Sequence, residues 1–226
     1  MFNNVYFDRA VIPWHESEDA ISDDRAKVNV DPELVKMRLS DPVKFMESLF
    51  EITRGWGYRA IGFKFMYWHK HKVRHEVAAN YLASDKSIRI VHLKRRNLLR
   101  RFLSLRKAEI SDLWSLKRDE QKEPFAQPPV ELPIVTCIED INTVETKQAE
   151  YDERFKNHSV LELFYEDLAH DPLAVGARAV AFLGLEAHRG LDVQYQKIGT
   201  ESLRDAIVNY DELKASIHRW ASFFDE

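Results

Sequence analysis

The chain has 226 residues, enough for one full domain with a sizeable apolar core. Hydrophobic residues make up 45% of it, which argues against disorder. The formal net charge of -4 excludes polyanion binding over the whole surface, so an anion site must be a local basic cluster. The single cysteine, Cys137, excludes an internal disulfide and a thiolate zinc site, and it suits a reducing compartment.

The first part of the chain predicts an irregular segment, two helices and a strand. Met1 to Val30 is polar and charged, and we expect it to be irregular. An Asp-Pro pair then begins each of two predicted helices, from Pro32 to Leu39 and from Pro42 to Arg54, because Asp caps a helix and Pro fits its first turn. The apolar run from Tyr58 to Tyr67 predicts a buried strand.

The rest of the chain alternates strands with helices. The predicted strands are Ile88 to Leu93 and Val160 to Tyr165, and the charged, proline-rich segment from Asp119 to Pro133 predicts a loop or lid. The predicted helices are His71 to Ala83, Asn97 to about Arg118, Glu139 to Lys156, one from Asp171-Pro172 to Gly184, and Asp211 to Phe224 in a helical tail over residues 200–226. This order predicts a single α/β domain over residues 1–226 with a mainly parallel sheet.

The segment from Ile88 to Ala108 is a predicted strand, a basic turn and a helix. Arg96 lies at the carboxyl end of the strand, where α/β sheets place their ligands, and Asn97 can cap the helix. The helix start and the Arg96 guanidinium both suit a phosphate. Ser104 follows eight residues later, about two helical turns on, and can add a hydroxyl donor.

Two other interpretations of this segment stay open. One is a packed helix with its leucines inside and its arginines in solvent. The other is a nucleic-acid contact made by the basic residues Lys94, Arg95, Arg96, Arg100, Arg101, Arg106 and Lys107. We expect no nucleic-acid partner, because leucines interleave these residues and no aromatic side chain is placed to stack on a base.

The pattern of Arg96 and Ser104 resembles that of bacterial-type sulfotransferases, which depend on 3′-phosphoadenosine-5′-phosphosulfate (PAPS). The context Arg-Asn-x-x-Arg-x-x-x-Ser-x-x-x-Ala is similar to that family well beyond these two residues. The resemblance implies that Arg96 and Ser104 hold the 3′-phosphate of PAPS.

Two later segments also resemble this family. Leu161 to Leu168, followed by Asp171-Pro172 and by Phe182 to Leu185, is similar to its strand–YEDL–xxDP–helix–FLGL unit, in which we expect Tyr165, Glu166 and Asp167 to be structural. The tail around Lys197 is similar to that of bacterial members, where a basic loop closes over the 3′-phosphate. Lys197 is therefore either a further phosphate ligand or an ordinary surface lysine.

Candidate catalytic residues come from the stretch Gly62 to His69, which resembles a Gly-x-Lys strand of the family. His69 would be the base that deprotonates the acceptor, since a histidine titrates near neutral pH. Lys64 would neutralise charge on the transferring sulfuryl group. Other relatives use an N-terminal glutamate, for which Glu16 is the positional candidate.

The histidines near this stretch also allow a metal interpretation. His71 and His75 are spaced to share one helix face, and His69 is close in sequence. Glu76 is the only close carboxylate and no cysteine completes the set, so we favour a solvated polar helix start and expect no metal.

The resemblance implies a P-loop-NTPase-like three-layer domain, but the first strand and the loop that binds the 5′-phosphosulfate are missing from the sequence. We expect Met1 to be an internal methionine of a longer protein; the alternative is a shortened chain with impaired catalysis. Without the first strand, the sheet would expose an unpaired edge.

The expected function is transfer of a sulfuryl group from the cosubstrate PAPS to a hydroxyl or amine of a small molecule, glycan or lipid. The alternative is a non-catalytic nucleotide-binding or scaffold domain of the same fold. No apolar run reaches the length of a membrane span and no signal peptide is recognisable, so we expect a cytoplasmic protein. A homodimer is left open.

Overall fold

The computed structural model describes residues 3–7, 10–14, 36–37, 40–54, 60, 62–67, 72–114, 127–185, 193, 199 and 201–225. The chain divides into two compact units. One contains Met1–Arg89 and Arg154–Ser159, and the other contains Ile90–Glu153 and Val160–Glu226. The two units are architecturally different, since the first pairs its strands antiparallel and the second pairs them parallel.

The first unit begins with a β-hairpin. Strands β1 (Asn3–Phe7) and β2 (Ala10–Trp14) pair antiparallel, with Asn3 opposite Trp14. The expectation that Met1 to Val30 is irregular is therefore wrong for these residues. Both strands are rich in β-branched and aromatic residues, which favour extended pairing over a polar loop.

Two helices follow in the first unit, α1 (Pro42–Arg54) and α2 (Lys72–Ser84). The Asp41 carboxylate accepts a hydrogen bond from the Lys44 amide at 3.0 Å, so α1 begins as its Asp-Pro signal predicts. The helix predicted from His71 to Ala83 is confirmed as α2. Most of the predicted helix from Pro32 to Leu39 lies outside the described residues.

The predicted buried strand from Tyr58 to Tyr67 is wrong in its described part. Residues 62–67 form no strand, and Gly62 and Lys64 are exposed. Side-chain contacts hold this segment in place of backbone pairing with another strand. The Phe65 ring stacks on His75 with centroids 4.5 Å apart. The same histidine donates from Nε2 to the Met66 carbonyl at 2.6 Å, so a side chain satisfies a backbone acceptor here.

The second unit contains a small parallel sheet. Strands β3 (Ile90–Lys94) and β4 (Val160–Phe164) pair in parallel, with Ile90 opposite Val160. Both strands were predicted, and β3 begins two residues later than expected. A mixed helix and strand unit with a parallel pair agrees with the predicted α/β class, while the three-layer P-loop arrangement stays a prediction.

Helices make up most of the second unit. They are α3 (Leu98–Ser111), α4 (Ile134–Arg154), α5 (Tyr165–His170), α6 (Pro172–Phe182), α7 (Leu203–Ala206), α8 (Tyr210–Ser216) and a 3₁₀ helix (His218–Phe224). The last predicted helix is thus two helices, divided at Ile217. Over the ranges that the structure describes, no helix has both the length and the apolar character needed to cross a membrane.

Helix α3 ends earlier than the predicted Arg118. Its C-cap, Asp112, adopts a left-handed conformation with φ 54, which short polar residues tolerate best. The Asp112 carboxylate then accepts a hydrogen bond from the Trp114 indole at 3.1 Å. These contacts stop the helix at Ser111 and turn the chain toward the pocket described below.

The core of the second unit joins α3, α4 and the C-terminal helices. Its buried side chains include Leu98, Leu99, Phe102, Leu103, Cys137, Ile141, Val144, Leu203, Leu213 and Ile217. Burial, helped by Asp140, raises the pKa of the Cys137 thiol to about 12. Cys137 is therefore a packing residue and not a nucleophile.

The end of the proline-rich segment is anchored to the C-terminal helices. Val130 donates from its amide to the Ala206 carbonyl and accepts from the Val208 amide, both at 3.0 Å. The Asn209 side chain bonds both backbone groups of Leu132, at 3.0 and 2.9 Å. Residues 127–133 are thus fixed, while residues 119–126 of the predicted lid lie outside the described residues.

Replacing Asn97 with alanine should lower the free energy of unfolding by about 2 kcal/mol. Its side-chain oxygen caps α3 by accepting from the Arg100 amide at 2.9 Å. Its amide nitrogen donates to the Phe223 carbonyl at 2.8 Å, so one side chain ties the helix start to the C-terminal 3₁₀ helix. Urea unfolding measures this, and Asn97→Asp, which keeps only the capping oxygen, should lose less.

Candidate functional site

The turn between β3 and α3 is closed by a carboxylate from α5. Glu166 accepts hydrogen bonds from the Arg96 amide at 3.1 Å and from the Asn97 amide at 3.2 Å. The Asn97 amide is one of the helix-start donors that were expected to suit a phosphate. Because Glu166 already binds the Arg96 and Asn97 amides, these two donors are not available to an anion at this turn.

Arg96 is held by an acidic neighbour and an aromatic ring. Its guanidinium donates to both carboxylate oxygens of Asp167, at 2.7 and 2.9 Å, and lies 4.0 Å from the centroid of the Phe164 ring. The paired hydrogen bonds raise the pKa of Arg96 and lower the pKa of Asp167. Both groups are thus charged at neutral pH, and the pair is half-exposed.

Arg95 is more buried than Arg96. Its guanidinium lies 4.3 Å from the centroid of the Tyr165 ring, and its side chain is 18% exposed. Burial lowers the pKa of Arg95, although the group stays charged. Its Nε lies 3.8 Å from a Glu166 oxygen and has no hydrogen-bond partner within the described part of the chain, so it has an N–H donor to offer.

Ser104 faces a basic pocket. The pocket has a volume of about 70 Å³, and its lining includes Arg95, Arg100, Ser104 and Lys107. Ser104 is exposed, so its hydroxyl is accessible to a ligand. Three cations and a hydroxyl donor around one small cavity form a site suited to a phosphate or sulfate group.

A carboxylate also lies in this pocket. The buried Lys107 ammonium is 3.4 Å from a Glu201 carboxylate oxygen and 3.5 Å from the Gln127 carbonyl. Arg100 donates to the Glu201 backbone carbonyl at 3.2 Å. Burial acts to raise the pKa of Glu201, but its hydrogen bonds and Lys107 lower it on balance, so Glu201 is charged.

The predicted site residues are distributed as follows. Ser104 lines the pocket, whereas Arg96 is at the adjoining turn and is not part of the lining. Lys64 is exposed in the first unit. His69 and Lys197 lie outside the described residues, as does Glu16.

Arg95, Arg100 and Lys107 were not predicted as individual phosphate ligands. A signal for two of them was present, because Arg100, Ser104 and Lys107 follow one another at i, i+4 and i+7 on one helix face. No comparable signal exists for Arg95, whose burial depends on contact with a tyrosine 70 residues further along.

The histidine cluster gives no metal site in the described ranges. His75 uses Nε2 to bind the Met66 carbonyl and packs on Phe65, and His71 lies outside those ranges. Over the same ranges, no group of three or more His, Cys, Asp or Glu side chains is arranged to hold a metal ion.

Comparison with known proteins identifies relatives. The sequence matches the family described as Stf0 sulphotransferase over residues 82–212, more than half of the chain. It is also similar to Nodulation protein H of Rhizobium tropici, with 29% identity over 147 residues. That match covers 64% of this chain and 57% of the relative, so the chain spans little more than half of the relative's length. No solved structure matches.

Proposed function

Because the chain belongs to the Stf0 sulphotransferase family, we propose that it transfers a sulfuryl group from PAPS to a hydroxyl or amine acceptor. The observation that carries this proposal is the pocket that joins Ser104 to three cations. Such a pocket supplies what a phosphate requires, namely permanent positive charge and several directed donors.

The proposed role of the pocket is to hold the 3′-phosphate of PAPS. Ser104 would donate its hydroxyl, and Arg95, Arg100 and Lys107 would neutralise the phosphate charge. Arg96 would join them by exchanging the Asp167 carboxylate for a phosphate oxygen. This exchange costs little, because exposed ion pairs contribute little to stability.

The proposed chemistry is an in-line displacement at sulfur. The acceptor oxygen or nitrogen forms a bond to sulfur while the bond between sulfur and the phosphate oxygen of PAPS breaks. Adenosine 3′,5′-bisphosphate leaves, and the acceptor proton passes to His69 or, in the alternative, to Glu16. Lys64 would stabilise charge on the sulfuryl group during transfer. The acceptor would be a small molecule, glycan or lipid.

Calorimetric titration with adenosine 3′,5′-bisphosphate tests the nucleotide site. We expect binding, and about hundredfold weaker binding of adenosine 5′-monophosphate, which lacks the 3′-phosphate and its charged hydrogen bonds. Ser104→Ala should reduce the preference between the two nucleotides by about tenfold. Equal affinity for both nucleotides would contradict the assignment of the pocket.

Transfer itself requires a second measurement. Radiolabelled PAPS is incubated with acceptors of each class, and label on a hydroxyl or amine product is the expected result. Nucleotide binding without any transfer would instead support the non-catalytic domain as the function of this chain.

A further inference from the structure

We propose that Glu201 is an internal counter-anion that holds the pocket cations in place and is displaced when a phosphate binds. The inference rests on the proposed function, because it concerns the same pocket. It adds a mechanism of competition: the protein's own carboxylate and the ligand would contend for Lys107. Three observations support it.

The first observation is that Lys107 is poorly satisfied. Its side chain is 6% exposed, yet its two contacts within the described part of the chain, with Glu201 and with the Gln127 carbonyl, are 3.4 and 3.5 Å long. An ammonium has three N–H donors, and a buried one needs close acceptors. Lys107 therefore has donor capacity left for a better placed anion.

The second observation is that Glu201 shares the cavity that Ser104 lines. Its side chain is 24% exposed, so it lies at the boundary between the cavity and solvent. A phosphate in the cavity would bring more than one negative charge close to this carboxylate. Both anions cannot be well bound by one ammonium, so the carboxylate should give way.

The third observation is that the helix start after Glu201 and the bond to Arg100 do not depend on the Glu201 carboxylate. Among the described residues, a displaced carboxylate gives up only the backbone hydrogen bonds from its own amide and from Gln127, together with the contact to Lys107. Helix α7 is capped independently by Ser202, whose hydroxyl accepts from the Asp205 amide at 3.1 Å. The Glu201 carbonyl, and not its carboxylate, binds Arg100, so rotation of the side chain keeps that bond.

The test is Glu201→Gln, which keeps the shape of the side chain and removes its charge. We expect adenosine 3′,5′-bisphosphate to bind about tenfold tighter to this variant than to the wild type. Lys107→Met should bind more weakly than the wild type. In the Lys107→Met background, adding Glu201→Gln should gain less than about twofold, because the contested ammonium is gone.

Glu109→Gln is the charge-matched control. Glu109 is on the same helix as Lys107 but pairs with Arg106 and does not line the pocket, so its removal should change affinity by less than about twofold. Unchanged or weaker binding by Glu201→Gln overturns the proposal, and so does an equal gain in Glu109→Gln. Thermal unfolding by circular dichroism checks that each variant is folded, and Glu201→Ala should change affinity in the same direction.

Inorganic phosphate separates this proposal from the proposed function. If the wild type fails to bind the bisphosphate while Glu201→Gln binds phosphate more tightly than the wild type, the counter-anion stands and the PAPS assignment fails. If the wild type binds the bisphosphate and Glu201→Gln gains nothing with either probe, only the counter-anion fails. Absence of binding in every variant with both probes overturns both.

Discussion

Glu166→Ala should lower the free energy of unfolding by about 3 kcal/mol. The substitution leaves the Arg96 and Asn97 amides without their acceptor and removes the carboxylate nearest to the buried Arg95 guanidinium. Loss of these contacts should also loosen the turn that leads into α3. Urea unfolding followed by circular dichroism measures the change.

Glu150→Ala is the control for this prediction. Glu150 pairs with Lys147 on the surface of α4, and exposed pairs of this kind contribute less than about 0.5 kcal/mol. Glu166→Gln should be intermediate, since the amide oxygen still accepts one hydrogen bond. If Glu166→Ala costs no more than Glu150→Ala, the two amides are satisfied in some other way and the turn does not depend on α5.

Local sequence signals account for much of the observed fold. The Asp-Pro pair predicts the first residue of α1, and the helix ends at Arg54, where its predicted range ends. Asn97 was expected to cap a helix, and it does so. These features depend on residues within one helical turn of each other, so they can be predicted from the sequence alone.

Features that depend on a distant partner were not predictable in the same way. Tyr58 to Tyr67 has the composition of a strand, but a strand needs a neighbour to pair with, and its described part is fixed by His75 and aromatic packing instead. The predicted end of α3 was too late because an aspartate such as Asp112 does not by itself predict the end of a helix. Its left-handed conformation is visible only in the structure. Apolar composition alone does not separate these outcomes.

In the candidate site, too, short sequence motifs predicted some features, while others depend on residues far apart in the sequence. The eight-residue spacing selected Arg96 and Ser104 as candidates, and the YEDL motif suggested a structural role for Glu166 and Asp167. Their contacts agree with that role. The ion pair between Asp167 and the Arg96 guanidinium could not be predicted from the sequence, because it joins residues 71 positions apart.

Arg96→Ala should weaken binding of adenosine 3′,5′-bisphosphate by about hundredfold, because the proposed phosphate contact is a bidentate one between charged groups. The stability of the protein should change little, since the pair with Asp167 is half-exposed. Calorimetry measures the first effect and urea unfolding the second. Arg96→Lys should recover only part of the affinity, because an ammonium lacks the planar fork.

Arg204→Ala is a closely matched control. Arg204 also donates to both oxygens of an aspartate, Asp211, and lies over an aromatic ring, that of Tyr210 at 4.4 Å. It therefore reproduces the surroundings of Arg96, but it belongs to α7 and not to the turn that adjoins the pocket. If both alanine variants bind the bisphosphate equally well, Arg96 is only a partner for Asp167. The 3′-phosphate would then be assigned to Ser104 and the three lining cations alone.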